Sequence, residues 1–551
     1  MEHKIINMVI SGHIVDVVRR VIYKARLYVK HGKIADIQPC DDVNNVFIMP
    51  GLIDSHIHIE SSMVVPARFA QNAVRFGVVA AIADPHEIAN VCGLDGVRFM
   101  VDNGKITPFK FCFGAPSCVP ATPFDHAGAQ LTAQDILILF DDLSLSFLAE
   151  MMNFPGVIQR SPEVMEKLKV AIDRNLPIDG HAPGLTGEPL IEYIDAGIET
   201  DHECTTLLEA EEKIKLGMKV LIREGSASQN FNDLYPLIDM YPDSVMLCSD
   251  DFHPENFSKQ YLNRFIPMGL SKGLDFWNIM QALTINPIAH YKLNVGLLQV
   301  GDPADFIVVD KIKTMNVLQT WIDGNIVFDG EKSFEIEDDS PRINNFSASP
   351  LSANDIKIQA QEGYINVIQV IDKQIYTQKT RCLPKIENNY CVSDVERDLL
   401  KIVVLNRYST NLSLSVGFVK GFGLKVGAIA SSISHDSHNI VAVGVHDQNI
   451  VDAVNLVISA KGGIAFSGES ESCLLELPVA GIMSDKKAGL VGDQYQKIQA
   501  HAQRNGCKLT APFMTLSFLS LLVIPSLKIS DRGLFDVDKF QFIDLFDNNN
   551  A

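Results

Sequence analysis

The feature that most restricts the fold of this chain is a rhythm. Between about residues 49 and 294, short apolar strand-like runs such as Val78 to Ile82, Phe109 to Phe113, Pro177 to Gly180 and Val245 to Leu247 alternate with longer helix-like stretches. Repeated strand and helix over roughly 250 residues fits a (β/α)8 barrel in length and order. An open doubly wound sheet shares much of that rhythm, and periodicity alone leaves both open.

The flanks have a different texture. Residues 5 to 48 read as short strands with turns between them, and His31-Gly32 separates two alternating runs as a hairpin turn would. Similar strands return after residue 295, with Asp323-Gly324 as a second turn signal. Residues 1–48 and 295–340 are therefore expected to build one small β-domain around the 49–294 segment. The composition turns polar from Glu331 to Asp355, which makes 341–355 a linker candidate. Residues 356–551 form a third region, with a strand over Ile440 to Gly444 and a helix over Asp447 to Ala460.

Composition narrows the partners. The chain has 551 residues, enough for about two or three cores. Its 67 acidic and 47 basic residues leave a formal charge of -20 with no long basic run, which argues against nucleic acid or an anionic membrane as partner. Met1 to Asn7 lack the pattern of a signal peptide, and no apolar run reaches the ~20 residues that span a bilayer. A cytoplasmic protein is the expectation. The ten cysteines are scattered, without a Cys-x-x-Cys pair, as in a protein of reduced thiols.

The chemistry starts at Pro50-Gly-Leu-Ile-Asp-Ser-His-Ile-His58. On a strand, His56 and His58 project to the same face, and both imidazoles can reach one cation. An amphipathic strand whose histidines face water fits the same pattern. His58-Ile-Glu60 also matches half of the zinc nucleobase deaminase signature, but the Pro-Cys-x-x-Cys half is missing. Further along, polar residues recur where strand-like runs end: Asp84, His86 and Glu87, then His181, then His202, then Asp250 and Asp251. In a parallel barrel those ends converge on one face. Glu150 is a lone carboxylate in the apolar run Leu148 to Met152, costly to bury unless paired or bound to metal; a solvent-facing glutamate is the alternative.

These residues resemble the amidohydrolase superfamily. Gly301-Asp-Pro-Ala-Asp-Phe-Ile-Val-Val-Asp310 is similar to the return strand of its small β-domain. Narrower motifs resemble the bacterial adenine deaminase family: His58-Ile-Glu-Ser-Ser-Met63, Ala83-Asp-Pro-His-Glu-Ile-Ala-Asn90, Ala149-Glu-Met-Met-Asn-Phe-Pro-Gly156 and Asp179-Gly-His-Ala-Pro-Gly184. In the third region the likeness continues through Ser434-His-Asp-Ser-His-Asn439, Leu477 to Asp485, Pro512 to Phe518 and Gly533 to Asp536. Ser228-Gln229 and Phe252 depart from the family pattern, where a small residue followed by a basic one, and a basic residue, are expected.

The resemblance implies an α/β fold: a (β/α)8 metal-dependent hydrolase barrel, a small β-sandwich from both flanks, and an additional C-terminal α/β domain of the adenine deaminase type. It implies hydrolytic deamination of adenine to hypoxanthine and ammonia, in purine salvage, by a hydroxide bridging two divalent metals, Mn(II) or Fe(II) before Zn(II). His56 and His58 would bind one metal, Glu150 would bridge, His181 and His202 would bind the second, and Asp250 would bind metal and handle protons. Asp84, His86, Glu87, Arg223, Glu224, Ser226 and Asp251 are candidates for purine or supporting contacts. His435, Asp436 and His438 have no assigned role, and a homodimer is expected. The rival is an amidohydrolase acting on a cyclic amide or another aminated heterocycle.

Overall fold

The computed structural model describes residues 8–337 and 340–547; the reading of Met1 to Asn7 lies outside them. The described residues form two compact units. One holds residues 8–85, 98–118 and 131–340; the other holds 86–97, 119–130 and 341–547.

In the first unit both flanks join one seven-stranded sheet, in the order Asn325–Phe328, Val317–Ile322, Phe306–Val309, Phe47–Pro50, Met8–Asp16, Val21–Lys30, Lys33–Pro39. The expectation named a sandwich; hydrogen bonding makes a single continuous sheet, whose two ends share one apolar cluster that includes Leu27, Val29, Phe306 and Trp321. The His31-Gly32 turn is a hairpin in which Lys30 pairs with Lys33. Its φ values of 51° and 76° are the double positive φ that a tight two-residue turn requires.

The remainder of the unit alternates parallel strands with helices. We number its strands β1 (Leu52–His58), β2 (Val78–Ala83), β3 (Lys110–Phe113), β4 (Leu148–Met151), β5 (Ile178–Gly180), β6 (Thr200–Asp201), β7 (Lys219–Arg223) and β8 (Val245–Cys248). β1 pairs with β2 and β2 with β3, all parallel. A parallel bridge from Ala115 reaches Leu148, and β4 pairs with β5. The Glu199 amide donates to the Ile178 carbonyl at 2.9 Å, carrying the order to β6, which pairs with β7 and β7 with β8. Asp250 and Asp251 then pair in parallel with Ile57 and His58. β1, β2 and β8 are buried along their whole length, as parallel strands covered on both faces are.

The second unit is built on a nine-stranded, mostly antiparallel sheet, with Leu399–Leu405, Ile440–Gly444 and Ala428–Ser431 near its centre. The expected strand over 440–444 is present, and the helix runs Asp447–Ser459. That helix lays Ile450, Val451, Val454 and Val457 against Val403, Ala428, Ala430 and Ala442. Each such aliphatic side chain contributes about 1.5–3 kcal/mol on burial. Gly444 is required there, because a Cβ would stand 2.4 Å from that of Ala428. The polar segment 341–355 is more than a tether: Leu351 is buried in the same cluster and Phe346 packs on it. Two isolated apolar residues in a polar stretch give no periodic signal. No helix among the described residues is long and apolar enough to cross a membrane.

Candidate metal centre

β1 aims His56 and His58 at one point, with their Nε2 atoms 3.2 Å apart. Both rings are buried, which removes the water-facing alternative. The His58 Nδ1 lies 3.1 Å from the Asp84 carbonyl oxygen. Donation there places a proton on Nδ1 and orients Nε2 toward the centre, as in metal-binding histidines.

Glu150, on β4, sits at the centre. Its Oε1 is 3.6 Å from His58 Nε2, while its Oε2 is 3.0 Å from His202 Nε2, 3.1 Å from His181 Nδ1 and 3.8 Å from His56 Nε2. Asp250 Oδ1 lies 3.5 Å from His56 Nε2 and 3.4 Å from His58 Nε2. His56, His58 and Asp250 form one group of potential metal ligands, and His56, Glu150 and His202 form another, each spanning no more than 4.8 Å. The six residues come from β1, β4 and the segments just beyond β5, β6 and β8. Parallel strands deliver them to one end.

Electrostatics keeps the carboxylates ionised. Burial alone would raise Glu150, but His181 and His202 hold it well below the usual range. Burial also opposes ionisation of Asp250, and the Arg223 guanidinium with His56 and His58 overcomes it. Asp250 has φ 55°, in the left-handed region. Such a backbone costs a non-glycine residue about 1 kcal/mol and is common at functional sites.

Glu203 is a member that sequence reasoning missed. Its Oε1 is 3.5 Å from both His181 Nδ1 and His202 Nε2. Arg223 clamps it: Nη2 donates to Oε2 at 2.8 Å, and Nη1 donates to its Oε1 and, at 2.6 Å, to Asp250 Oδ2. Arg223 thus ties two carboxylates together. The available signal was the residue directly after His202.

Other expected contacts are engaged differently. Ser61 donates to Asp251 Oδ1 at 2.5 Å. Ser226 Oγ accepts from the His253 amide and from Asn256, both at 3.0 Å. Glu224 faces Arg264 at 3.9 Å. His86 and Glu87 belong to the second unit, where Glu87 bonds His435 and His438.

A buried scaffold holds the strand ends in register. Asp54 accepts from the Ser249 amide at 3.0 Å, from the Ser249 hydroxyl, and from Tyr261 at 2.5 Å, linking β1 to the end of β8. Burial pushes its carboxyl up to about 6 despite those bonds.

Comparison with known proteins identifies the family. The Amidohydrolase family profile matches residues 47–327, and the Adenine deaminase C-terminal domain profile matches 374–541. The chain is similar to an adenine deaminase of Methanosarcina mazei, with 50% identity over 97% of this chain and 99% of that one. Adenine deaminases of Salinibacter ruber and Borreliella burgdorferi are 45% and 44% identical, over 98% and 97% of this chain and 98% and 99% of theirs. Full-length identity at this level, over both matched regions, places the chain in the adenine deaminase family of amidohydrolases.

Proposed function

We propose that this protein deaminates adenine hydrolytically, giving hypoxanthine and ammonia. The observation that carries the reading is the convergence of His56, His58, Glu150, His181, His202 and Asp250 on one buried point in a chain of this family. We infer that β1 to β8 close as a (β/α)8 barrel, supported by the return of the ladder from Asp250 and Asp251 to β1.

The donor set fits two divalent ions. Imidazoles and carboxylates without thiolates suit Mn(II), Fe(II) or Zn(II). His56 and His58 would hold one ion and His181 and His202 the other, with Glu150 between them because its two oxygens face different histidines. Bound there, the pair supplies Lewis acidity that makes water a competent nucleophile near neutral pH.

Asp250 divides its labour. Oδ2 is held by Arg223, leaving Oδ1 toward His56 and His58, where the reacting water would stand. As water adds to C6 of adenine, Asp250 accepts its proton and returns it to the departing amine. The C–O bond forms on addition, the C–N bond breaks when the tetrahedral adduct collapses with the amine protonated, and the balance is adenine plus water to hypoxanthine plus ammonia. Arg223 acts through Asp250 and Glu203 as a positioning residue.

The test is ammonia release by purified, Mn-loaded protein given adenine, adenosine, cytosine or a cyclic amide. Release from adenine alone is expected. No ammonia from adenine, with turnover of another member of the panel, would replace this reading with the rival amidohydrolase.

A further inference from the structure

One buried lysine grips the backbone on which His181 and His202 stand. Lys213 lies on the helix Leu207–Lys215, which follows β6. Lys213, Asp201 and Glu209 are all at most 5% exposed. An ammonium carries three N–H donors. Nζ of Lys213 places them on the Ala182 carbonyl at 2.7 Å, on Asp201 Oδ2 at 3.1 Å and on Glu209 Oε1 at 2.8 Å.

The two carboxylates extend the grip. Asp201 Oδ1 accepts from the Ala182 amide at 2.8 Å, and its Oδ2 accepts from the Glu203 amide at 3.1 Å. Glu209 Oε1 accepts from the Gly184 amide at 2.9 Å, and its Oε2 accepts from the Thr205 amide at 3.2 Å. Ala182 and Gly184 belong to the segment that leaves His181, and Glu203 and Thr205 to the one that leaves His202. The backbone groups bound by this network therefore lie on the two segments that carry those histidines.

His56, His58 and Asp250 are placed by another device. Asp54, Ser249 and Tyr261 tie β1 to the end of β8, and none of them is a member of the lysine network. A buried network whose polar groups are all satisfied is rigid, and removal of its one cation leaves two buried carboxylates without their partner. Such a loss is felt first by the backbone those carboxylates hold.

We propose that Lys213 is the positioning residue of the second ion: through Asp201 and Glu209 it sets the spacing of His181 and His202, while the ion at His56 and His58 is independent of it. This inference rests on the binuclear reading above. Outer contacts that orient metal ligands change metal affinity by about 10–100-fold when they are removed. The effect of Lys213 falls on one ion of the pair.

The experiment titrates metal into stripped, full-length protein. Mn(II) equivalents are counted by mass spectrometry, and electron paramagnetic resonance separates a coupled pair of Mn(II) ions from a single one. The samples are wild type, Lys213→Met, Glu209→Gln and, as a control, Lys401→Met, which removes a buried lysine of the second unit bonded to Asp447 and the Ile356 carbonyl; folding is checked by circular dichroism. Wild type and Lys401→Met are expected to take two equivalents with the coupled signal. Lys213→Met is expected to keep one equivalent with a single-ion signal, and Glu209→Gln to bind the second ion about 10–100-fold more weakly. Two equivalents at wild-type affinity in folded Lys213→Met overturn the proposal, as does loss of both ions there or of the second ion in Lys401→Met. If Lys213→Met does not fold, an unchanged second dissociation constant in Glu209→Gln overturns it. A wild type limited to one equivalent overturns the binuclear reading and this proposal with it, whereas absent ammonia release overturns the adenine reading alone.

Discussion

Two histidine and carboxylate clusters, one in each unit, use the same residue types and are made in different ways. The first gathers residues from the ends of buried parallel strands. The second joins the start of one helix to a short loop, and the loop is held by backbone bonds and ring stacking. The comparison teaches that a layered fold lets sequence-distant residues share a site by position alone, whereas a loop site must be braced residue by residue.

The largest expected effect separates the two clusters. Glu150→Ala should remove the ligand between His58 and the His181 and His202 pair, and adenine turnover should fall to background while His435 and His438 stay bonded to Glu87. Steady-state ammonia release checks the first part. Full metal loading and normal turnover in that variant would end the claim that Glu150 is central.

A smaller effect probes the clamp. Arg223→Met leaves Asp250 and Glu203 as buried carboxylates without their guanidinium, and loss of one partner of a buried ion pair costs about 3–5 kcal/mol. Turnover should drop together with stability. Arg223→Lys should recover part of the stability but less of the rate, because an ammonium cannot fork to two carboxylates. Equal rates in the two variants would show that orientation by Arg223 is unimportant.

The smallest effect belongs to the second unit. Burial lowers Lys528 to about 7, and its Nζ donates to the carbonyls of Ile375 and Phe518 at 2.8 and 2.9 Å. The unfolded lysine titrates near ~10.4. Between about pH 7 and 10 the unfolded chain therefore binds the extra proton, and stability from this group rises with pH by about 1 kcal/mol per unit. Denaturant midpoints at pH 7.5 and 9.5 should diverge in the wild type, and Lys528→Met should lose that part of the slope. An identical slope in the variant contradicts the assignment.

The sequence made part of this architecture legible, for physical reasons. Runs ending at Ile82 and Leu247 mark β2 and β8 because buried parallel strands are continuous apolar segments, whereas those ending at Phe113 and Gly180, which mark β3 and β5, are interrupted by Lys110 and Asp179. β6, with only Thr200 and Asp201, is too short to leave a pattern. Glu150 stood out as a charge among apolar residues, while Glu203 was hidden by its neighbour His202. The bonds from Glu87 to His435 and His438 were not legible, since no local rule relates residues that far apart.

The central claim is that Asp250 moves the proton in adenine hydrolysis at the first cluster. It is tested most directly by hypoxanthine formation from adenine, with metal counted in the same samples, for Mn-loaded wild type and Asp250→Asn. The amide keeps an oxygen toward His56 and His58 but cannot take the proton. The account predicts largely retained metal and a loss of about 10²–10⁴ in turnover. Wild-type turnover in Asp250→Asn would contradict it.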